Sequence, residues 1–114
     1  TLAHAALEAA ADLAAAGLRV AVLNARFAKP LDATRILALA RRCGALVTVE
    51  EHACGGGFGA AVLELLAAHG VTLPVRCLAI PDRIIEHGDP DAIKRELGLD
   101  PAGIAGAVRD LVGR

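Results

Sequence analysis

VTVEEHACGGGFGAAVLELL, residues Val47 to Leu66, reads as an apolar strand that breaks at a glycine cluster and continues as an apolar helix. Two carboxylates and a histidine, Glu50, Glu51 and His52, stand at the break. Strand-to-helix turns of this kind are where an α/β domain keeps its ligand-facing or partner-facing edge. Gly55, Gly56, Gly57 and Gly59 can take positive φ and let the backbone approach another surface closely, which a residue with a Cβ does only at a cost.

A phosphate is the first candidate for what approaches, because a helix N-terminus offers free N–H groups and the positive end of its dipole. Charge and spacing argue against it. Glu50 and Glu51 would repel a pyrophosphate unless a metal or an arginine intervened. The loop supplies Gly55-x-Gly57-x-Gly59 where a dinucleotide fingerprint needs G-x-G-x-x-G, and no G-K-[ST] is present for a Walker A loop. Asp82 does stand roughly 20 residues on, after a further strand, as a ribose-binding acid would. The competing reading is that the glycines serve tight helix–sheet or domain–domain packing.

The neighbouring segments repeat the alternation. Leu2, Ala6, Ala9 and Leu13 recur at helical spacing, opposed by a polar stripe of His4, Glu8 and Asp12, and Gly17 ends that helix. Leu18 to Leu23 is an apolar run of strand length. Asp32 is a helix N-cap, the helix runs to about Cys43 with Ile36, Leu39, Ala40 and Cys43 inward, and Gly44 closes it. The strand Ala45 to Glu50 leads into a helix from about Phe58 to His69 with Gly70 at its end, apolar almost all round and so expected to be buried on more than one side, against the sheet and against another domain. Val75 to Ile80 is a third strand. Asp89-Pro90 and Asp100-Pro101 each open a short helix, with Gly98 as the cap between them. The expected architecture is α/β, three-layer α/β/α, with a mostly parallel sheet covered on both faces.

Length and composition bound the rest. The 114 residues enclose one core, so residues 1–114 are read as a single domain. A formal net charge of −1 gives no field for nucleic acid or an anionic membrane, and two aromatic residues, Phe27 and Phe58, provide no stacking platform. His4, Glu8 and Asp12 interrupt the alanine-rich opening, which reads as neither a membrane span nor a signal peptide, so a cytoplasmic location is expected. A chain that opens on Thr1 and holds no methionine is expected to be a piece of a longer polypeptide. Since it opens with a helix, the strand that normally precedes such a helix is expected to be missing from the piece. Cys43, Cys54 and Cys77 form no C-x-x-C pair and read as free thiols. His52-x-Cys54 supplies two metal ligands where a site needs more, so no metal is expected in the chain.

Parallel topology collects the strand ends at one edge. Arg26 and Lys29 follow the first strand, Glu50, Glu51 and His52 the second, and Asp82 and Arg83 the third. Converging opposite charges fit an ion-pair network at a domain interface better than a catalytic constellation, with Arg26 against Glu50 or Glu51 the expected pair. His52 beside Glu51 could serve as a general acid or base, but no nucleophile elbow or activated cysteine accompanies it.

Four groups of residues also carry a resemblance. They are Asn24-Ala25-Arg26-Phe27-Ala28-Lys29-Pro30-Leu31-Asp32, then Val47 to His52 with Gly55-Gly56-Gly57-Phe58-Gly59, then Ile80-Pro81-Asp82 with Glu86-His87-Gly88, and Arg95-Glu96-Leu97-Gly98-Leu99-Asp100. Together they resemble the C-terminal, transketolase-like domain of the 1-deoxy-D-xylulose-5-phosphate synthase family across nearly the whole chain. The R-x-x-x-P-L-D and V-E-E…G-x-G elements are shared with other transketolase relatives and with β subunits of 2-oxoacid dehydrogenases.

The resemblance implies a homodimeric, thiamine diphosphate- and magnesium-dependent transferase that joins the two-carbon unit of pyruvate to glyceraldehyde 3-phosphate, for isoprenoid, thiamine and pyridoxal synthesis. It places both cofactors in other domains, so no catalytic, cofactor-binding or metal residue is expected in this chain. The expected partners are the other domains of the same polypeptide. Arg26, Lys29, Glu50, Glu51, His52, Gly55, Gly56, Gly57, Gly59 and Asp82 form the candidate domain-interface edge. Two other classes stay open, a subunit-docking domain of a 2-oxoacid dehydrogenase β subunit and a free-standing nucleotide-binding or regulatory module.

Overall fold

The computed structural model describes residues 2–23, 32–50, 57–79, 95 and 97–113. Helix α1 spans Leu2–Ala15, with Ala9 and Leu13 buried and His4, Glu8 and Asp12 exposed on the opposite side. Gly17 at φ 89° takes the left-handed position that ends it, and Leu18 N–H donates back to the Leu13 carbonyl at 2.8 Å.

Helix α2, Ala33–Cys43, is bounded by its caps. Asp32 Oδ1 accepts from Arg35 N–H at 3.2 Å, and Gly44 at φ 78° returns its N–H to the Ala40 carbonyl. Its buried face is Ile36, Leu37 and Ala40. Leu39 is half-buried and Cys43 exposed, against the expected inward set, since the last turn runs past the cluster that α2 forms with Val62 and Leu66.

Strands β1, Leu46–Glu50, and β2, Val75–Ala79, pair in parallel with Thr48 opposite Cys77 and Glu50 opposite Ala79. Helix α3, Phe58–Ala68, connects them, and α4, Pro101–Val112, follows. Period-two alternation sends Thr48, Glu50 and Cys77 to the α3 face, while Val49 and Leu78 pack under α1 and α4 with Ala9, Leu13, Ile104 and Ala105. On the other face Ile36, Leu37, Ala40, Val62 and Leu66 form a second cluster. The arrangement is α/β with helices on both sides of a parallel sheet, as expected.

Leu13, Leu99 and Val62 are the largest side chains under 2% exposed. Each stabilises the fold by about 1.5–3 kcal/mol relative to exposure in water.

One expectation needs correction. Leu18 to Leu23 forms no ladder, so the sheet among the described residues has two strands rather than three. The run still alternates half-buried and exposed from Leu18 to Val22, but a strand is completed by a neighbour's main chain, and none of the described strands lies beside it. Within this chain, helix α3 buries one face through Gly59, Val62 and Leu66 and leaves Leu63 45% exposed on the other, the side expected to meet another domain.

The helix expected from Asp89-Pro90 lies outside the described residues. Asp100 caps α4 by accepting from Gly103 N–H at 2.9 Å, with Pro101 at the first helical position. Gly98 is left-handed at φ 74°, and Leu99 behind it is fully buried. The Gly98-Leu99-Asp100 sequence is therefore a turn, an apolar plug and a helix cap in succession.

Candidate functional site

The end of β1 and the start of α3 are held together by one carboxylate. Glu50 is 8% exposed, and its two oxygens accept separate main-chain bonds, Oε1 from Phe58 N–H at 3.0 Å and Oε2 from Gly59 N–H at 2.6 Å. A helix begins with N–H groups that have no partner within it. Gly57, at the N-cap, has no side chain to serve them. Glu50, eight residues before Phe58 in sequence, replaces the missing cap, and its negative charge sits at the favourable end of the helix dipole.

Gly59 is required here for closeness rather than for backbone angle. A Cβ built on it would lie 2.9 Å from Cys77 Sγ and 3.0 Å from both Glu50 Oε2 and Thr48 Oγ1. Neither it nor Gly57, which has φ −86°, adopts the positive φ that the glycine cluster allowed. The close approach seen is α3 against the sheet of its own domain, the helix–sheet alternative for this loop.

Gly59→Ala is expected to destabilise the protein by about 1–2 kcal/mol, because overpacking outweighs the smaller gain in helix propensity in a first turn. Urea unfolding measures it. Cys77→Ala in the same chain should recover part of the loss, and full additivity of the two changes would contradict the contact.

Thr48 Oγ1 is buried without a hydrogen-bond partner among the described residues. Thr48 and Cys77 face the same small space as Glu50, and sequence reasoning did not place them there. The available signal was parity, since Thr48 stands two residues before Glu50 on one strand, whereas Cys77 enters only through the β1–β2 register.

Glu50, Gly57 and Gly59 are the members of the candidate edge that the structure describes. It turns Glu50 inward, onto α3. Arg26, Lys29, Glu51, His52, Gly55, Gly56 and Asp82 lie outside the described residues, as does the expected partner of Glu50 in an ion pair.

The described residues do not fit a diphosphate or its metal. Both Glu50 oxygens are committed to main-chain donors, and those donors are the ones a phosphate at this helix would use. No group of three or more His, Cys, Asp or Glu side chains suited to a metal occurs among the described residues.

Residues 1–104 match the family described as transketolase, C-terminal domain. The chain belongs to that family.

This transketolase C-terminal domain is 55% identical over 103 residues to 1-deoxy-D-xylulose-5-phosphate synthase 1 of Geobacter sulfurreducens, covering 90% of the chain and 16% of the relative. It is 47% identical over 112 residues to the synthase of Acaryochloris marina, covering 98% of the chain and 18% of the relative. Its fold matches a split-gene transketolase in an inactive β4 tetramer with a TM-score of 0.88 and 33% identity, over 98% of this chain and 36% of that one. The chain thus spans less than a fifth of the length of these curated relatives.

Proposed function

We propose that the domain is the noncatalytic C-terminal assembly unit of a 1-deoxy-D-xylulose-5-phosphate synthase, a cytoplasmic homodimer that converts pyruvate and glyceraldehyde 3-phosphate to 1-deoxy-D-xylulose 5-phosphate and CO2. Thiamine diphosphate and Mg2+ belong to the rest of that enzyme. When bound there, the thiamine group supplies the electron sink that lets pyruvate lose CO2 and pass on its two-carbon unit.

The observation that carries this reading is the 55% identity with the Geobacter synthase over nine-tenths of the chain. The Glu50 carboxylate supports the noncatalytic part, since it is buried and both its oxygens hold the start of α3. The outer face of α3, with Leu63 exposed between Ala60 and Ala67 at helical spacing, supports an assembly role. Arg26, Lys29, Glu51, His52 and Asp82 are proposed to meet the neighbouring domains at the same edge.

The deciding experiment is to express the full polypeptide that contains this chain and assay both sugar products. Formation of 1-deoxy-D-xylulose 5-phosphate with release of CO2 supports the reading. Ketol transfer between sugar phosphates without use of pyruvate overturns it.

Leu63→Glu in that polypeptide is expected to weaken subunit or domain association about tenfold or more while lowering the fold's stability by less than about 1 kcal/mol. Sedimentation and urea unfolding separate the two effects. Unchanged association would remove α3 from the assembly surface.

A further inference from the structure

Helices α2 and α4 carry their own caps. Asp32 opens α2 by accepting from Arg35 N–H, and Asp100 opens α4 by accepting from Gly103 N–H, each three residues on. Helix α3 is built otherwise. Its N-cap is Gly57, and the bonds come from Glu50, the last residue of β1, which pairs opposite Ala79 and stands eight residues before Phe58.

A local cap fixes the start of its own helix and nothing else. A cap supplied by the strand also sets the distance and direction from the end of β1 to the first turn of α3. Oε1 holds Phe58 and Oε2 holds Gly59, so two bonds from one planar group define the approach. Gly59 then rests against Thr48 and Cys77 with no room for a Cβ. Contacts within this domain alone therefore place both ends of the connection formed by residues 51–57.

That placement bears on association. Residues 51–57 include Gly55, Gly56 and Gly57, and glycine loses more conformational freedom than any other residue when it is fixed. Ordering a segment at an interface lowers affinity, and ends that are already set reduce the loss. Glu51 and His52 belong to this connection and to the edge proposed above to meet the neighbouring domains.

We infer that Glu50 is a positioning residue for assembly, capping α3 from the strand so that the 51–57 connection and the outer face of α3 are offered to the neighbouring domain in one preset arrangement. The inference rests on the reading of this edge as an assembly surface and adds the residue that orders it. Glu50 acts through α3, since it is buried with both oxygens on main-chain N–H groups.

The test separates capping from positioning in the full polypeptide. Gly57→Asp supplies a local cap of the kind found at Asp32 and Asp100, and Gly57, at φ −86° and ψ −168°, has an extended backbone that aspartate adopts. In the Glu50→Ala/Gly57→Asp variant the urea midpoint is expected to recover at least half of the Glu50→Ala loss. Association measured by sedimentation is expected to stay about tenfold weaker than in the parent. Glu50→Gln, with one acceptor oxygen left, should fall between the two. Leu13→Ala is the control for lost stability alone, because Leu13 is buried under α1 and α4 on the opposite face of the sheet from α3. It should lower the urea midpoint and leave association within about twofold of the parent.

Association that returns with the local cap reduces Glu50 to a helix cap and overturns the inference. An equal loss of association in Leu13→Ala overturns it too, by tracing the effect to stability. A double variant that regains no stability yet associates less tightly than Leu13→Ala supports it, since the two then stand at similar urea midpoints. The proposed reaction is read separately, because sedimentation does not depend on which sugar product forms. A polypeptide that makes no 1-deoxy-D-xylulose 5-phosphate but loses association with Glu50 retains the positioning role, and one that makes the product while ignoring Glu50 loses that role alone.

Discussion

Gly103→Ala is expected to destabilise the protein by about 3–5 kcal/mol, the largest effect of any glycine-to-alanine change among the described residues. The added Cβ would lie 2.5 Å from Gly98 Cα and 2.6 Å from both the carbonyl carbon and oxygen of Gly98. These are backbone atoms, which cannot rotate aside as a side-chain tip can. Gly98 is moreover held at φ 74°, where few other residues can sit, so the turn must move as a unit.

Moving it displaces Leu99, which is fully buried, and stretches the bond by which Asp100 caps Gly103 itself. Against this stands a gain in helix propensity of at most about 1 kcal/mol for replacing glycine. Overpacking and partial loss of Leu99 burial exceed that gain several-fold. For a domain of this size the melting temperature should fall by about 10 °C or more. Gly106→Ala is the control on the same helix, since nothing lies within 4 Å of its Cβ, and it should be neutral or stabilising. A loss below about 1 kcal/mol at Gly103 would show that the turn yields freely.

Glu50→Ala is the second large effect, expected at about 2–4 kcal/mol. It strands two main-chain donors, Phe58 N–H and Gly59 N–H, at a buried helix start whose N-cap is a glycine with no side chain to offer. Each unsatisfied buried donor costs about 1–3 kcal/mol, partly relieved if water enters the space the side chain leaves. Glu50→Gln keeps one acceptor oxygen in nearly the same shape and should lose about half as much. Amide exchange at Phe58 and Gly59 should rise in step with the loss measured by urea. If alanine and glutamine variants both match the parent, the carboxylate is not what holds α3 to β1.

How much of this could be read in advance depends on the distance over which each interaction acts. The α/β class, the limits of α2 and the start of α4 follow from Asp32, Gly44, Asp100 and Pro101, because caps act within a few residues of their own backbone. Gly17, Gly70 and Gly98 are left-handed at the helix ends and turns where the pattern placed them. The resemblance carried by Gly98-Leu99-Asp100 has a local physical cause in the same way.

Tertiary structure decided the rest. Glu50 looked like a charge presented at an edge, and only packing α3 onto β1 turned both oxygens onto Phe58 and Gly59. Gly59 owes its glycine to Cys77 on a strand 18 residues later, which the β1–β2 register alone brings opposite Thr48. Leu18 to Leu23 has the alternation of a strand, yet a strand exists only when a neighbouring main chain completes its hydrogen bonds. Sequence determined which segments could be helices, turns and strands, since those preferences are local. Which donors and acceptors met was left to the three-dimensional contacts.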